Sequence, residues 1–279
     1  MNIKVILLFI SINILLFAQS TSNVGDNNIL INTGVGRVDY TTYTIYADAT
    51  ADILTDKVLH PEALLILQEQ AEEETFRTLY QTLGNIIVNG DYTVYNIIEE
   101  NAKLREDVMD FVNDARLLGV SYPSRTSVKV LMALDIITNQ LMSNFIQNMN
   151  TYKPIPIVTY IDAGTDYDGL VIDARGIGFK PSLFPTIYNE NGDAIYDIAY
   201  IDKKIASTNG YIKYSTNSFL TNQISTNITG KKPYNIVAWS TRGKFASDLV
   251  IGNEDASIIL SAKKLKEAIR NCKVTVIID

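Results

Sequence analysis

Residues 63–83 form one long amphipathic stretch set among short β-branched segments, and this alternation limits the fold more than any other feature of the chain. His60-Pro61-Glu62 opens it, with proline in the first helical turn, where its missing N–H costs nothing. Gly84 closes it as a C-terminal stop. Leu64, Leu67, Ala71, Thr75, Leu79 and Leu83 recur at three- and four-residue steps, while Gln68, Glu69, Glu72, Glu73 and Arg77 fall off that stripe. The spacing predicts a helix ~30 Å long with one face on a core. Such a helix needs a sheet or other helices beneath it.

The remaining pattern supplies the sheets. Residues 23–36 form a polar leader into a first strand, which 38–46 continue in β-branched and aromatic residues. Residues 86–88 and 92–97 flank the turn Asn89-Gly90-Asp91, a second helix is expected over 101–118, a strand over 127–134 and a third helix over 136–149. Residues 152–157 (YKPIPI) cannot continue a helix through Pro154 and Pro156, and read as a linker. Beyond it come a strand buried on both faces (167–174), a hairpin (186–188 and 194–196) around NENGD, strands at 234–239 and 248–251, a helix over 254–270 and a final strand at 273–278. Residues 202–230 carry no firm assignment. The expected fold is α/β in the α+β sense: two small mixed-sheet units, 24–150 and 158–279, each covered by helices.

The first residues read as an address. Lys4 precedes an apolar run over 5–18 (VILLFISINILLFA), and Ala18-Gln19-Ser20 follows with small residues two apart. This is the pattern of a secretory signal peptide over 1–20, and the run is short for a bilayer-spanning helix of ~20 residues. An uncleaved anchor is the alternative. Cleavage after Ser20 leaves 23 basic and 31 acidic residues, a net charge of −8. A chain this acidic lacks the basic footprint that phosphate backbones require, which argues against nucleic acid as a partner. No cysteine stands at the cleavage site, so a lipid anchor through this signal is not expected.

One histidine and one cysteine remove most familiar active sites. His60 sits before a proline at a helix entrance, a poor place for the base of a Ser-His-Asp arrangement. Cys272 reads as a small half-buried residue at a strand entrance. Zinc-ligand spacing is missing from the sequence, and no cofactor or metal is expected. Asp162, Asp166, Asp168 and Asp173 cluster, but the run lacks the closing glutamate of a calcium loop. Ile161-Asp162-Ala163-Gly164-Thr165 echoes an aspartic-protease turn without a convincing second copy. The best ligand candidates are Asp173, Arg175, Gly176 and Lys180, with Asp162 or Asp168 near them, because Gly176-Ile177-Gly178 follows a buried strand and its N–H groups could meet an anion. A tight turn with Arg175 paired to Asp173 or a neighbour explains the same residues. Tyr188, Tyr196, Tyr200, Tyr211, Tyr214 and Tyr234 sit in polar company, which suits either a protein-binding surface or half-exposed strands.

Two segments resemble known families. The run LLILQEQAEEETFRTLYQTLGNIIV, then VMDFVNDARLLGVSY and TSVKVLMAL, resembles the small domain of the flagellar envelope proteins FlgP and FlgT and their lipoprotein relatives, over roughly residues 34 to 135. YDGLVIDARGIGFKPSLFPTIYNENGDAIYD, with SDLVIGNEDASIIL and IRNCKVTVIID, is similar to the C-terminal domain of exported bacterial proteins that carry such a small domain. The resemblance implies an envelope-associated α/β protein. Together with the leading apolar run, the lack of a catalytic constellation and the tyrosine-rich second unit, it points to a non-enzymatic cell-envelope protein, in the periplasm or associated with the outer membrane. It would bind envelope or flagellar proteins or itself, with flagellar assembly as the more specific role. The chain departs from the lipoprotein members in lacking the lipidated cysteine. The alternative is a periplasmic ligand-binding or hydrolytic protein using the Asp173–Lys180 loop.

Overall fold

The computed structural model describes residues 29–54, 60–137, 139–148, 166–216 and 229–279. The expected signal peptide, the 152–157 linker and the 161–165 turn lie outside them. The fold is α+β, and the chain divides into two compact units: residues up to Leu83 with Met109–Asp135, and Gly84–Val108 with Ile136–Asp279. The expected boundary near residue 150 therefore differs from the observed division, in which residues 84–108 group with the C-terminal half.

The first unit is an antiparallel five-stranded sheet in the order β1-β2-β3-β5-β4. Its strands are β1 (Leu30–Asn32), β2 (Arg37–Asp39), β3 (Thr44–Asp52), β4 (Arg116–Ser124) and β5 (Ser127–Asp135). Strands β3 and β5 pair along their whole length, setting Ile45 against Leu134, Ala47 against Met132, Ala49 against Val130 and Ala51 against Val128. The period of two sends these residues to one face, where Ile45, Ala47, Val128, Val130, Met132 and Leu134 are buried. The opposite face is polar: Asp48 takes Lys129 at 2.7 Å and Arg37 at 3.5 Å. The long helix is α1 (Pro61–Gly84), and Leu67, Ala71, Thr75, Leu79 and Leu83 on its stripe are all fully buried.

The second helix is shorter than its sequence pattern. Helix α3 (Ala102–Asn113) stops early, and Leu117 and Leu118 belong to β4. Pairing with β5, which sets Leu117 against Met132 and Val120 against Val130, outweighs the helical periodicity of that stretch. Residues 92–97 are likewise mostly helical. A single bridge joins Ile87 and Thr93, and then α2 (Val94–Glu100) begins, where Asn96 Oδ1 accepts from Thr93 N at 2.8 Å and Thr93 Oγ1 at 3.0 Å.

The second unit holds two four-stranded sheets. One is wholly parallel, in the order β10-β6-β13-β9, from β6 (Gly169–Asp173), β9 (Lys213–Ser215), β10 (Pro233–Val237) and β13 (Val274–Ile277). The other is mixed, in the order β11-β12-β7-β8, from β7 (Ile187–Asn189), β8 (Ala194–Tyr196), β11 (Ser240–Arg242) and β12 (Asp248–Ile251). The expected hairpin is β7–β8. The unassigned middle contributes β9 and α5 (Lys203–Asn209), whose N-terminus Asp202 caps through Lys204 N at 2.9 Å and Ile205 N at 3.1 Å. The expected C-terminal helix is two, α6 (Asn253–Ser261) and α7 (Lys263–Arg270), because Ala262 adopts an extended conformation between them. Helix α4 (Asn139–Asn148) also belongs to this unit.

Several tyrosines build the core. Tyr196, Tyr211 and Tyr214 are buried; Tyr196 stacks on Tyr211 with centroids 4.5 Å apart and donates to Tyr211 O at 2.6 Å. Tyr211 donates to Pro185 O at 3.0 Å and Tyr214 to Ser182 O at 2.8 Å. Each hydroxyl finds the partner a buried tyrosine requires. These three are therefore structural and form no docking surface.

Residues 86–91 are built into this unit by their backbone. Leu183 N donates to Ile87 O at 3.0 Å, Phe184 N to Val88 O at 2.7 Å and Phe245 N to Gly90 O at 2.8 Å. Asp248, only 5% exposed, gathers Gly90 N at 3.0 Å and Thr186 N at 2.9 Å on the same Oδ1. The approach requires glycine twice. A Cβ on Gly90 would lie 2.4 Å from Asp248 Oδ2, and one on Gly243 would lie 2.5 Å from Gly90 Cα.

Burial pushes the Asp248 carboxyl up to about 6, with Asp91 and Asp197 adding repulsion against the two N–H bonds that favour the charge. The folded state thus prefers the protonated acid. Its contribution is whole below the ordinary carboxylate range near 4 and is lost as pH rises through about 6. Wild-type protein is expected to lose up to about 3 kcal/mol relative to Asp248→Asn between those pH values, read from urea midpoints of the two proteins. Asp248→Ala leaves two buried N–H groups unpaired and is expected to cost about 2–5 kcal/mol at pH 7.

Candidate functional site

The parallel sheet places a loop at the carboxyl end of β6, where open α/β sheets hold ligands. Residues Asp173, Arg175 and Gly176 meet there. Asp173 Oδ1 accepts from Arg175 N at 3.1 Å and Arg175 Nε at 2.9 Å, and Oδ2 accepts from Nη2. This fork-to-carboxylate bond holds Asp173 below the usual carboxylate range and raises Arg175 further. A carboxylate so held is a poor proton donor at neutral pH.

Gly176 N donates to the Asp279 carboxylate, at 2.9 Å to Oδ2 and 3.2 Å to Oδ1. Gly176 and Gly178 have φ of 75° and 71°, and a Cβ on either would meet nothing. Their glycines serve the left-handed backbone, not a close approach. The loop does bind an anionic group through backbone N–H, and that group is the side chain of Asp279. Lys180 is exposed; its N–H donates to Ala246 O at 3.0 Å, and its ammonium joins no ion pair among the described residues. The turn with Arg175 paired to Asp173 accounts for this arrangement.

The other aspartates lie elsewhere. Asp168 precedes β6, so one strand of ~16 Å separates it from the Asp173 end. Asp168 Oδ1 accepts from Lys232 N at 2.7 Å and its Oδ2 from Lys231 N at 3.0 Å, which fixes the entry of β10. Asp166 pairs with Lys264. Asp162 lies outside the described residues.

His60 is exposed, and its carbonyl receives Ala63 N and Leu64 N at the start of α1. Cys272 is buried, and burial pushes its thiol up to about 12. It takes a φ of 57° as the left-handed residue closing α7, with Lys273 N on Ala268 O and Cys272 N on Ile269 O, both at 3.0 Å. Such a thiol stays protonated at neutral pH and is a poor nucleophile. Asp248 is the acid that sequence reasoning missed. Its only signal was a charge leading an apolar strand, and its environment comes from residues far away in the chain.

Residues 169–279 match the family described as the second domain of Treponema pallidum Tp0624. The match begins at the first residue of β6 and takes in both sheets of the second unit, less than half of the chain. This part of the protein is similar to that domain. No curated protein matches the chain.

Asp173→Ala is expected to destabilise the protein by ~1 kcal/mol at pH 7, and Arg175→Ala by less, since the carboxylate also holds Arg175 N. Asp173 is depressed on folding, so its contribution is present above pH ~4 and fades as pH falls through its folded value. Thermal midpoints of both variants across pH 2–7 check this.

Proposed function

We propose that this is a non-enzymatic protein of the cell envelope that binds other proteins as a component of an assembly. The Asp173–Arg175–Gly176 loop carries the reading, since the Asp173 carboxylate, the Arg175 guanidinium and the Gly176 N–H are each matched by a neighbour in the fold. The leading apolar run 5–18 and the resemblance over residues 34 to 135 support export and an envelope setting, in the periplasm or beside the outer membrane. Among the described residues no helix is long and apolar enough to cross a membrane. Association with the flagellum is the more specific form of this proposal and rests on the FlgP- and FlgT-like pattern alone.

A ligand-binding role for the same loop has one observation in its favour. Gly176 already holds a carboxylate at the carboxyl end of parallel strands, so a free anion could compete for it.

Crosslinking in intact cells, followed by fractionation and purification of the protein, tests the first reading. Recovery in a defined complex with envelope or motor proteins is expected. Recovery as a free monomer, together with anion binding that Asp279→Asn strengthens, would replace it with the second.

A further inference from the structure

The chain has a single tryptophan, and it is exposed. Trp239 is 60% exposed and Val237, two residues earlier, 62%. Both lie where the backbone leaves β10, the outer strand of the parallel sheet, for β11, the outer strand of the mixed sheet. The corner is rigid. Ala238 N donates to Asp173 O at 2.9 Å and Trp239 N to Val250 O at 2.8 Å, so each sheet holds one of the two residues. The indole lies against Gly252, where a Cβ would stand 3.0 Å from its Cζ2. Its N–H makes no hydrogen bond among the described residues.

The surroundings are acidic. Asn253 donates its N–H to Glu190 Oε2 at 2.8 Å, which holds that carboxylate at the residue after the glycine the indole covers. Glu254 follows, exposed in the first turn of α6. Neither glutamate has a cationic partner among the described residues. Two cations stand near this corner and both are engaged: Arg242 is stacked on Tyr188 at 4.4 Å, and Arg175 is paired with Asp173, the strand partner of Val237. Both carboxylates sit at the N-terminal end of α6, and neither is paired with a cationic side chain among the described residues, so an exposed aromatic face with this net negative charge near it is complementary to an organic cation. Tryptophan anchored on rigid backbone is also the side chain that most often dominates protein interfaces, and Val237 adds an apolar flank.

We propose that Trp239 and Val237 form the docking point for a basic segment of a partner protein, with an arginine or lysine laid on the indole and its charge answered by Glu190 and Glu254. This rests on the protein-binding reading above and names the partner's chemistry. Neutral glycans would use the ring but not the charges.

The lone tryptophan makes its own emission the probe. The full chain is titrated with a capped Leu-Arg-Leu-Arg-Leu peptide and with the same peptide carrying citrulline for arginine. The arginine peptide is expected to change Trp239 emission saturably. The citrulline peptide, and the double variant Glu190→Gln, Glu254→Gln with the arginine peptide, are each expected to bind at least five-fold more weakly. Equal responses from the two peptides, an unaffected double variant, or binding of a neutral oligosaccharide alone would overturn the proposal. In the cellular crosslinking experiment, a Trp239→Ala variant that keeps every partner of the wild type would overturn this surface while leaving protein binding intact. A wild type that captures no partner would overturn the binding reading itself.

Discussion

A single oxygen of Asp248, a buried residue, receives backbone N–H groups from two distant parts of the chain, Gly90 and Thr186. Burying a carboxylate without a counter-cation is expensive, and the displacement of its titration toward 6 records that expense. The bonds it makes hold the start of β7 and the Asn89–Asp91 turn in one frame. Gly90 and Gly243 let the two backbones approach, and Phe245 N closes on Gly90 O. The second unit therefore depends on a segment that lies far ahead of its two sheets in sequence. The family match over 169–279 takes in the sheets and leaves this segment out.

That arrangement bears on function. At the ends of the parallel strands polar groups are matched at short range: Asp173 pairs with Arg175, Asp279 accepts from Gly176 N, and Asp168 accepts from the backbone N–H groups at the β10 entry. Three of the six tyrosines that look like an interface in the sequence, Tyr196, Tyr211 and Tyr214, are buried and hydrogen-bonded inside. Trp239, pinned at a corner between two sheets and left in solvent, differs from all of these in having no internal partner for its N–H among the described residues.

Features fixed by local pattern were legible in the sequence. Helix α1, the β7–β8 hairpin around NENGD and the buried strand β6 follow from period, turn chemistry and apolar runs. The pairing of Arg175 with Asp173 was legible as one of two readings because the residues stand two apart. What could not be read was set by distant neighbours. Leu117 and Leu118 suit a helix until β5 offers them a ladder, and residues 84–108 group with a sheet whose strands begin much later. Nothing near Asp248 in sequence shows that Gly90 will reach it.

Native-state hydrogen exchange at single-residue resolution tests the central claim, that residues 86–91 are an integral part of the second unit's core. The amides of Gly90, Leu183, Phe184 and Thr186 are expected to exchange only on global opening, together with those of β6 and β13. Fast exchange of these four amides while β6 and β13 stay protected would show a segment that docks and releases, and would contradict it.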